Sequence, residues 1–149
     1  MQKEYETPLS RKIVRYIKSI PNCWAYKRHA GPNRKGSPDI SGSVNGIRLE
    51  IEVKVGDNTP TDLQLKHLDR WTEMNAITAC VWSIEEVKFL MKNIIAEEKV
   101  TICMQCYRPI MKISLVESSL VCLVCIEKNN KLSHKHKTAQ PHDKNCHKK

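Results

Sequence analysis

Aromatic side chains are scarce in this chain. They make up 5% of its 149 residues, and phenylalanine occurs once. Any core must therefore rest on Ile, Leu and Val. Long apolar runs are missing too. The longest, Leu120 to Ile126, falls far short of the ~18–20 residues that cross a bilayer and contains two cysteines, so no membrane span is expected. Met1-Gln2-Lys3-Glu4-Tyr5-Glu6 has charges with no apolar stretch behind them, unlike the start of a secretory signal. An even cysteine framework is absent as well: there are seven, which without an export signal argues against a secreted disulfide scaffold. No repeat of solenoid period is found. The expectation from these absences is an intracellular protein with no membrane partner.

What is present is positive charge. Lys and Arg number 25 against 16 Asp and Glu, a net of +9 with a pI near 9.3. Charged residues at 28% and apolar residues at 40% fit a folded globular chain, and the length allows one core plus a small appendage. A basic balance points to a polyanion, most simply nucleic acid. Residues 128–149 carry seven Lys and one Asp, so six of the nine charges lie there. With four His and almost no apolar residues, this stretch reads as a mobile tail. It either attaches to a phosphate backbone or simply aids solubility.

The body alternates between helix and strand patterns. Thr7-Pro8 reads as a cap followed by proline at the first helical position, and Leu9, Ile13, Val14, Ile17 and Ile20 then recur at helical spacing until Pro21. Cys23 to Arg28 reads as a strand leading into the loop from Ala30 to Pro38. A second helix is expected from about Thr59-Pro60 through Leu65, Leu68 and Trp71. Ile77 to Ser83 reads as a strand, and Ser83-Ile84-Glu85-Glu86 as a capping box opening a third helix through Leu90 and Ile94. The order predicts a mixed α/β fold.

Asp39 to Val55 carries the chemistry. Ile47, Leu49, Ile51, Val53 and Val55 alternate with Arg48, Glu50, Glu52 and Lys54, the pattern of a strand with one buried face and one charged face. Asn45-Gly46 is the preferred pair for a two-residue type I′ hairpin. That turn pairs Val44 with Ile47 and brings Asp39 opposite Glu52, with Lys54 next on the same face. Opposed carboxylates about 4.5–5.5 Å apart at Cβ repel each other, and a hard divalent cation such as Mg²⁺ or Mn²⁺ relieves the repulsion. A lysine beside them can position or help deprotonate an attacking water and stabilise a pentavalent phosphate. These are the parts for hydrolysing a phosphodiester. Taken singly, Glu-x-Lys is common on solvated strands and Pro-Asp is a common turn; the hairpin register is what joins them.

Gly36-Ser37-Pro38-Asp39 followed by Glu52-Val53-Lys54 resembles the signature of the PD-(D/E)xK nucleases. Thr59-Pro60-Thr61-Asp62-Leu63-Gln64 is similar to the Gln-bearing helix start of their virus-type replication–repair (VRR-NUC) branch. The resemblance covers about residues 4–98. It implies a restriction-endonuclease-like core, a mixed central sheet flanked by helices. It further implies that Asp39, Glu52 and the Val53 carbonyl bind the catalytic metal, that Lys54 acts on the water and that Gln64 orients the site from its helix. Glu6 is the closest match to the glutamate the family often adds from its first helix. Asn75-Ala76 stands where the family has a glycine. Small members of this family are viral or phage proteins, and some act as dimers on branched DNA. A homodimer and a role in replication, recombination or repair are therefore implied as open expectations, in the host cytoplasm for a phage or viral protein, with the nucleus left open.

Several neighbours have plainer readings. Trp71 reads as core, His29, Arg34 and Lys35 as solvated loop or phosphate contacts, and Cys23 and Cys80 as buried small residues. Downstream, Cys103-x2-Cys106 and Cys122-x2-Cys125, fifteen residues apart, resemble the two knuckles of a zinc ribbon. Ile110 to Val116 fits the strand between them. Four thiolates would close the Zn²⁺ to chemistry and supply the folding energy that so short a segment lacks. His142, Cys146 and His147 read as an incidental site. The expected organisation is thus a nuclease domain over 1–98, a zinc ribbon over 99–127 and a basic tail over 128–149. The expected activity is metal-dependent cleavage of branched or duplex DNA, resolvase-like on Holliday junctions. The rivals are a site-specific or non-specific nuclease with the same residues, and a non-catalytic zinc-dependent DNA-binding protein.

Overall fold

The structure of the chain, a computed structural model, describes residues 3–29, 35–98, 100–110 and 125, with residues 3–7 described as backbone. Helix α1 (Lys3–Lys18) begins four residues before the expected cap at Thr7 and holds Pro8 within it. Its Ile13 and Ile17 are fully buried, as the helical spacing requires. The chain then turns at Asn22 (φ +57°) into strand β1 (Cys23–Lys27).

Strands β2 (Ile40–Val44) and β3 (Ile47–Val53) form the predicted hairpin, with Asn45 at φ +50° and Gly46 at φ +82°. Both central residues of a type I′ turn need positive φ, which Gly adopts freely and Asn tolerates. The register runs from Val44↔Ile47 to Ile40↔Ile51, as the turn dictates. Strand β1 pairs antiparallel with β2. After helix α2 (Asp62–Glu73), strand β4 (Ile77–Val81) returns parallel to β3, and helix α3 (Ile84–Ile95) follows. Among the described residues this is an α/β architecture: a mixed sheet in the order β1-β2-β3-β4 with three helices.

The apolar face of the sheet, with Ile40, Val44, Leu49, Ile51, Val53, Ala79 and Val81, packs on α1 and α3 through Ile13, Ile17, Val87, Leu90 and Met91. Helix α2 lies on the other face. The alternation in β3 therefore does not separate core from solvent: Glu50 and Glu52 are as buried as Leu49 and Ile51. A helix with an apolar stripe must cover something, and β3 and β4 offer α2 their polar side.

Boundaries shift where caps decide them. Helix α2 starts at Asp62 rather than near Thr59, because Thr61 is the cap: its hydroxyl accepts from the Gln64 amide while Gln64 returns a side-chain bond to the Thr61 N–H. Ser83 caps α3 by accepting from the Glu86 amide, so β4 stops at Val81. The Glu86 carboxylate does not complete that box; it accepts from the Trp82 N–H at 2.6 Å and from Arg108. Asn75 takes φ +60° in the turn after α2, the conformation a glycine would otherwise supply. Arg34, the strand expected after Ile110, Cys122 and the tail over 128–149 all lie outside the described residues.

Candidate functional site

Strand pairing aligns the polar face of the sheet in rows. Asp39 continues the β2 register by one residue: its carbonyl accepts from the Arg28 N–H at 2.7 Å, and its Oδ2 accepts from the Val53 N–H at 2.9 Å. The row next to the end of the hairpin ladder thus crosses Arg28, Asp39 and Glu52 and reaches Cys80, the β4 partner of Glu52. Asp39 lies one residue beyond the paired Ile40↔Ile51, with its carboxylate tied to the β3 backbone just beyond Glu52.

Glu52 is the centre of the constellation. Only 1% of it is exposed, and its Oε1 accepts from Lys54 Nζ at 2.7 Å and from Gln64 Nε2. Lys54 is itself 7% exposed, and its amide donates to the Val81 carbonyl, carrying the β3–β4 ladder one residue further. A carboxylate this deep is tolerable only when charge and hydrogen bonds compensate it, and both are present. Gln64 holds two ends at once: its Oε1 accepts from Thr61 N–H at 2.9 Å while its amide nitrogen reaches Glu52. The cap that starts α2 thereby fixes the helix over the carboxylate. Gly36, at φ +78°, lets the loop before Asp39 lie against Leu63 in the first turn of α2; a Cβ there would come within 2.4 Å of Leu63 Cγ. Burial first, and then the Glu52 carboxylate, push the Cys80 thiol up, so it sits on this row as a neutral group.

The next row holds a network that the sequence reading missed. Glu50, fully buried, accepts from Ser41 Oγ at 2.7 Å, from Arg48 at 2.7 Å and from Arg28 at 3.1 Å. Arg48 also lies 3.7 Å from the centroid of the Trp71 ring on α2. Trp71 is therefore not plain core: it is half-buried under the Arg48 guanidinium. The signal was available in the Leu65, Leu68 and Trp71 stripe, which had to be seated on the face carrying Arg48 and Glu50.

A second site forms from the cysteines. Residues 101–110 fold back on themselves through Cys103 N–H to the Arg108 carbonyl and Tyr107 N–H to the Cys103 carbonyl, both 2.9 Å, with Ile102 bridged to Pro109. Tyr107 takes φ +62°, which turns the backbone around the thiols. The sulfurs of Cys103, Cys106 and Cys125 all lie within 4.8 Å of one another, and Cys103 and Cys125 are 4.0 Å apart. Tetrahedral zinc with Zn–S bonds of about 2.3 Å requires sulfurs about 3.8 Å apart, so this cluster can hold a metal ion such as zinc. Cys122 lies outside the described residues.

This knuckle is docked on the sheet. The Tyr107 carbonyl accepts from the Cys80 N–H at 3.0 Å on the outer edge of β4, and the Tyr107 hydroxyl donates to Asp69 on α2. Burial and then that bond to Asp69 push the Tyr107 phenol up. Arg108 pairs with Glu86 at 2.6 Å and stacks on Trp82 at 4.2 Å, and Trp82 Nε1 donates to the Asn58 carbonyl at 2.9 Å. A cavity of 270 Å³ lies between the loop Gly56–Thr59 and the knuckle residues Cys106, Arg108 and Cys125.

The remaining expectations fall as follows. Glu6 is inside α1, and its side chain lies outside the described part of the structure. Val53 is buried and meets Asp39 through its N–H. His29 and Lys35 are exposed, Cys80 is buried and Cys23 is half-buried. Among the described residues no helix is long and apolar enough to cross a membrane. No family model matches the chain, and no curated protein matches it.

Proposed function

We propose that the chain is a metal-dependent DNA endonuclease of the PD-(D/E)xK superfamily, similar to its VRR-NUC branch, with an appended zinc ribbon. The observation that carries this reading is the convergence of Asp39, Glu52, Lys54 and Gln64 at one end of the sheet, with Glu52 buried between Lys54 and Gln64. A solvated charged strand would not bury its carboxylate or bring a helix cap onto it.

The donor set fits a hard divalent cation: Asp39 and Glu52 offer carboxylate oxygens from adjacent strands on one row, and Mg²⁺ or Mn²⁺ prefers such ligands. The Val53 carbonyl is the third ligand implied by the family pattern. When bound, the metal supplies Lewis acidity toward the scissile phosphate and its attacking water. Lys54 holds the water by hydrogen bond and places positive charge where the phosphorane gathers negative charge. Gln64 keeps Glu52 in one rotamer, so the carboxylate does not have to be ordered when substrate arrives. The cysteine cluster takes Zn²⁺ as a structural ion, with Cys122 as the fourth thiolate, and has no part in the chemistry.

Branched DNA in viral or phage replication, recombination or repair is the substrate class that the resemblance favours. The test gives the purified protein a four-way junction, a flap, single strands and linear duplex with Mg²⁺, Mn²⁺ or EDTA. Symmetric paired nicks confined to the junction are expected of a resolvase acting as a homodimer. Indiscriminate cutting would replace that assignment with a general nuclease, and binding without any cleavage would leave a non-catalytic DNA-binding protein.

A further inference from the structure

Among the described residues, helix α2 packs mainly on β3 and β4 on the polar face, away from the edge strand β1. The same row arithmetic that aligns Asp39 with Glu52 places Tyr26 beside Ser41 and Glu50, and Trp24 beside Ser43 and Arg48. Trp24 is 57% exposed and Tyr26 48% exposed, on a chain where aromatics are scarce. Apolar rings on an edge strand cost solubility and invite pairing, so their exposure here needs a reason.

Charge on the described groups beside the rings is net positive. Lys18 Nζ lies 4.0 Å from the centroid of the Trp24 ring. Arg48 is 43% exposed, and with Arg28 it shares the single buried carboxylate of Glu50, leaving one positive charge over. Neither β1 nor β2 contains an acidic residue. Stacking surfaces set among cations match a chain of phosphates carrying bases, since each base offers a π-face whatever its identity.

Spacing distinguishes unpaired from paired bases. Trp24 and Tyr26 are two residues apart on one strand, roughly 6.6 Å, whereas neighbouring bases in duplex stack at about 3.4 Å. The rings are thus set for bases already drawn apart. From Tyr26 to Glu52 is one row and two strand spacings, on the order of 12 Å, so a strand crossing the platform continues toward the carboxylates.

We propose that Trp24 and Tyr26 form a stacking platform for an unpaired DNA strand, which it feeds to the Asp39–Glu52 row. This deepens the nuclease reading and rests on it for the role of the platform, though binding can be read separately. Binding of a short oligothymidylate and of a blunt duplex is measured in EDTA for wild type, Trp24→Ala, Tyr26→Ala and Trp24→Phe. None of these changes alters net charge, so attraction to the basic tail is common to all. Each alanine variant should lose about tenfold or more in affinity for the single strand, with duplex affinity unchanged and Trp24→Phe retaining most of the binding. Single-strand affinities within about twofold of wild type in variants shown folded by circular dichroism would overturn the platform, as would failure of wild type to bind the oligothymidylate. If the affinities fall as expected but wild type cuts no DNA with Mg²⁺ or Mn²⁺, the platform stands and the nuclease reading fails.

Discussion

Gln64 donates its side-chain amide to the same Glu52 oxygen that accepts the Lys54 ammonium. One carboxylate oxygen thereby ties the first turn of α2 to the end of β3. The other end of the Gln64 amide belongs to the helix cap, so helix start and carboxylate orientation are one structure rather than two.

Replacing Gln64 with Ala should therefore act on both. Loss of half a capping box costs about 0.5–2 kcal/mol, to be seen as a lower midpoint in urea. Metal-dependent cleavage should fall by more than the stability change accounts for, because Glu52 loses a fixed partner. Equal cleavage at equal folded fraction would separate the cap from the site.

Lys54→Ala leaves Glu52 in place without its cation. Breaking a buried ion pair costs about 3–5 kcal/mol, so this variant should melt well below wild type in EDTA. Mn²⁺ should restore more stability to the variant than it adds to wild type, since it neutralises the stranded carboxylate. Thermal melts of both proteins with and without Mn²⁺ check this, and an identical metal shift in the two would contradict it.

The thiolate cluster should hold one Zn²⁺ per chain, measured by native mass spectrometry, and Cys103→Ser should lose it. Metal affinity should weaken as pH falls, because thiolates must be deprotonated to bind. Zinc removal should also loosen α2, as Tyr107 holds Asp69 from the knuckle. Faster amide exchange in α2 on chelation is the readout.

Residues 128–149 carry six of the nine net positive charges. If all six contact phosphate, deleting that stretch should reduce the salt slope of DNA binding by roughly 5. Cleavage at low salt should persist, because the carboxylate row is elsewhere. Complete loss of cleavage by a folded truncated protein would overturn that division.

The hairpin register was legible because Asn45-Gly46 leaves one turn geometry, and a single turn fixes every cross-strand partner. Helix α1 and the burial of Ile13 and Ile17 were legible from spacing. The polar face was not. Arg48, Glu50, Glu52 and Lys54 read as a charged face opposite the buried one, because alternation reports two faces without saying what covers the second. Only the tertiary placement of α2 explains why Glu50, Glu52 and Lys54 are buried. The Glu86–Arg108 contact was hidden for the same reason: a capping-box pattern names two local partners and cannot foresee a third from 22 residues away.

The most direct measurement is cleavage of branched and linear DNA by wild type and Lys54→Ala, each with Mg²⁺, Mn²⁺ or EDTA, beside a binding assay on the same DNA. Wild type should cut with either metal and not in EDTA, while a folded Lys54→Ala should bind DNA as wild type does and cut at least about a hundredfold more slowly. DNA bound by wild type and left intact under every metal condition would contradict the account.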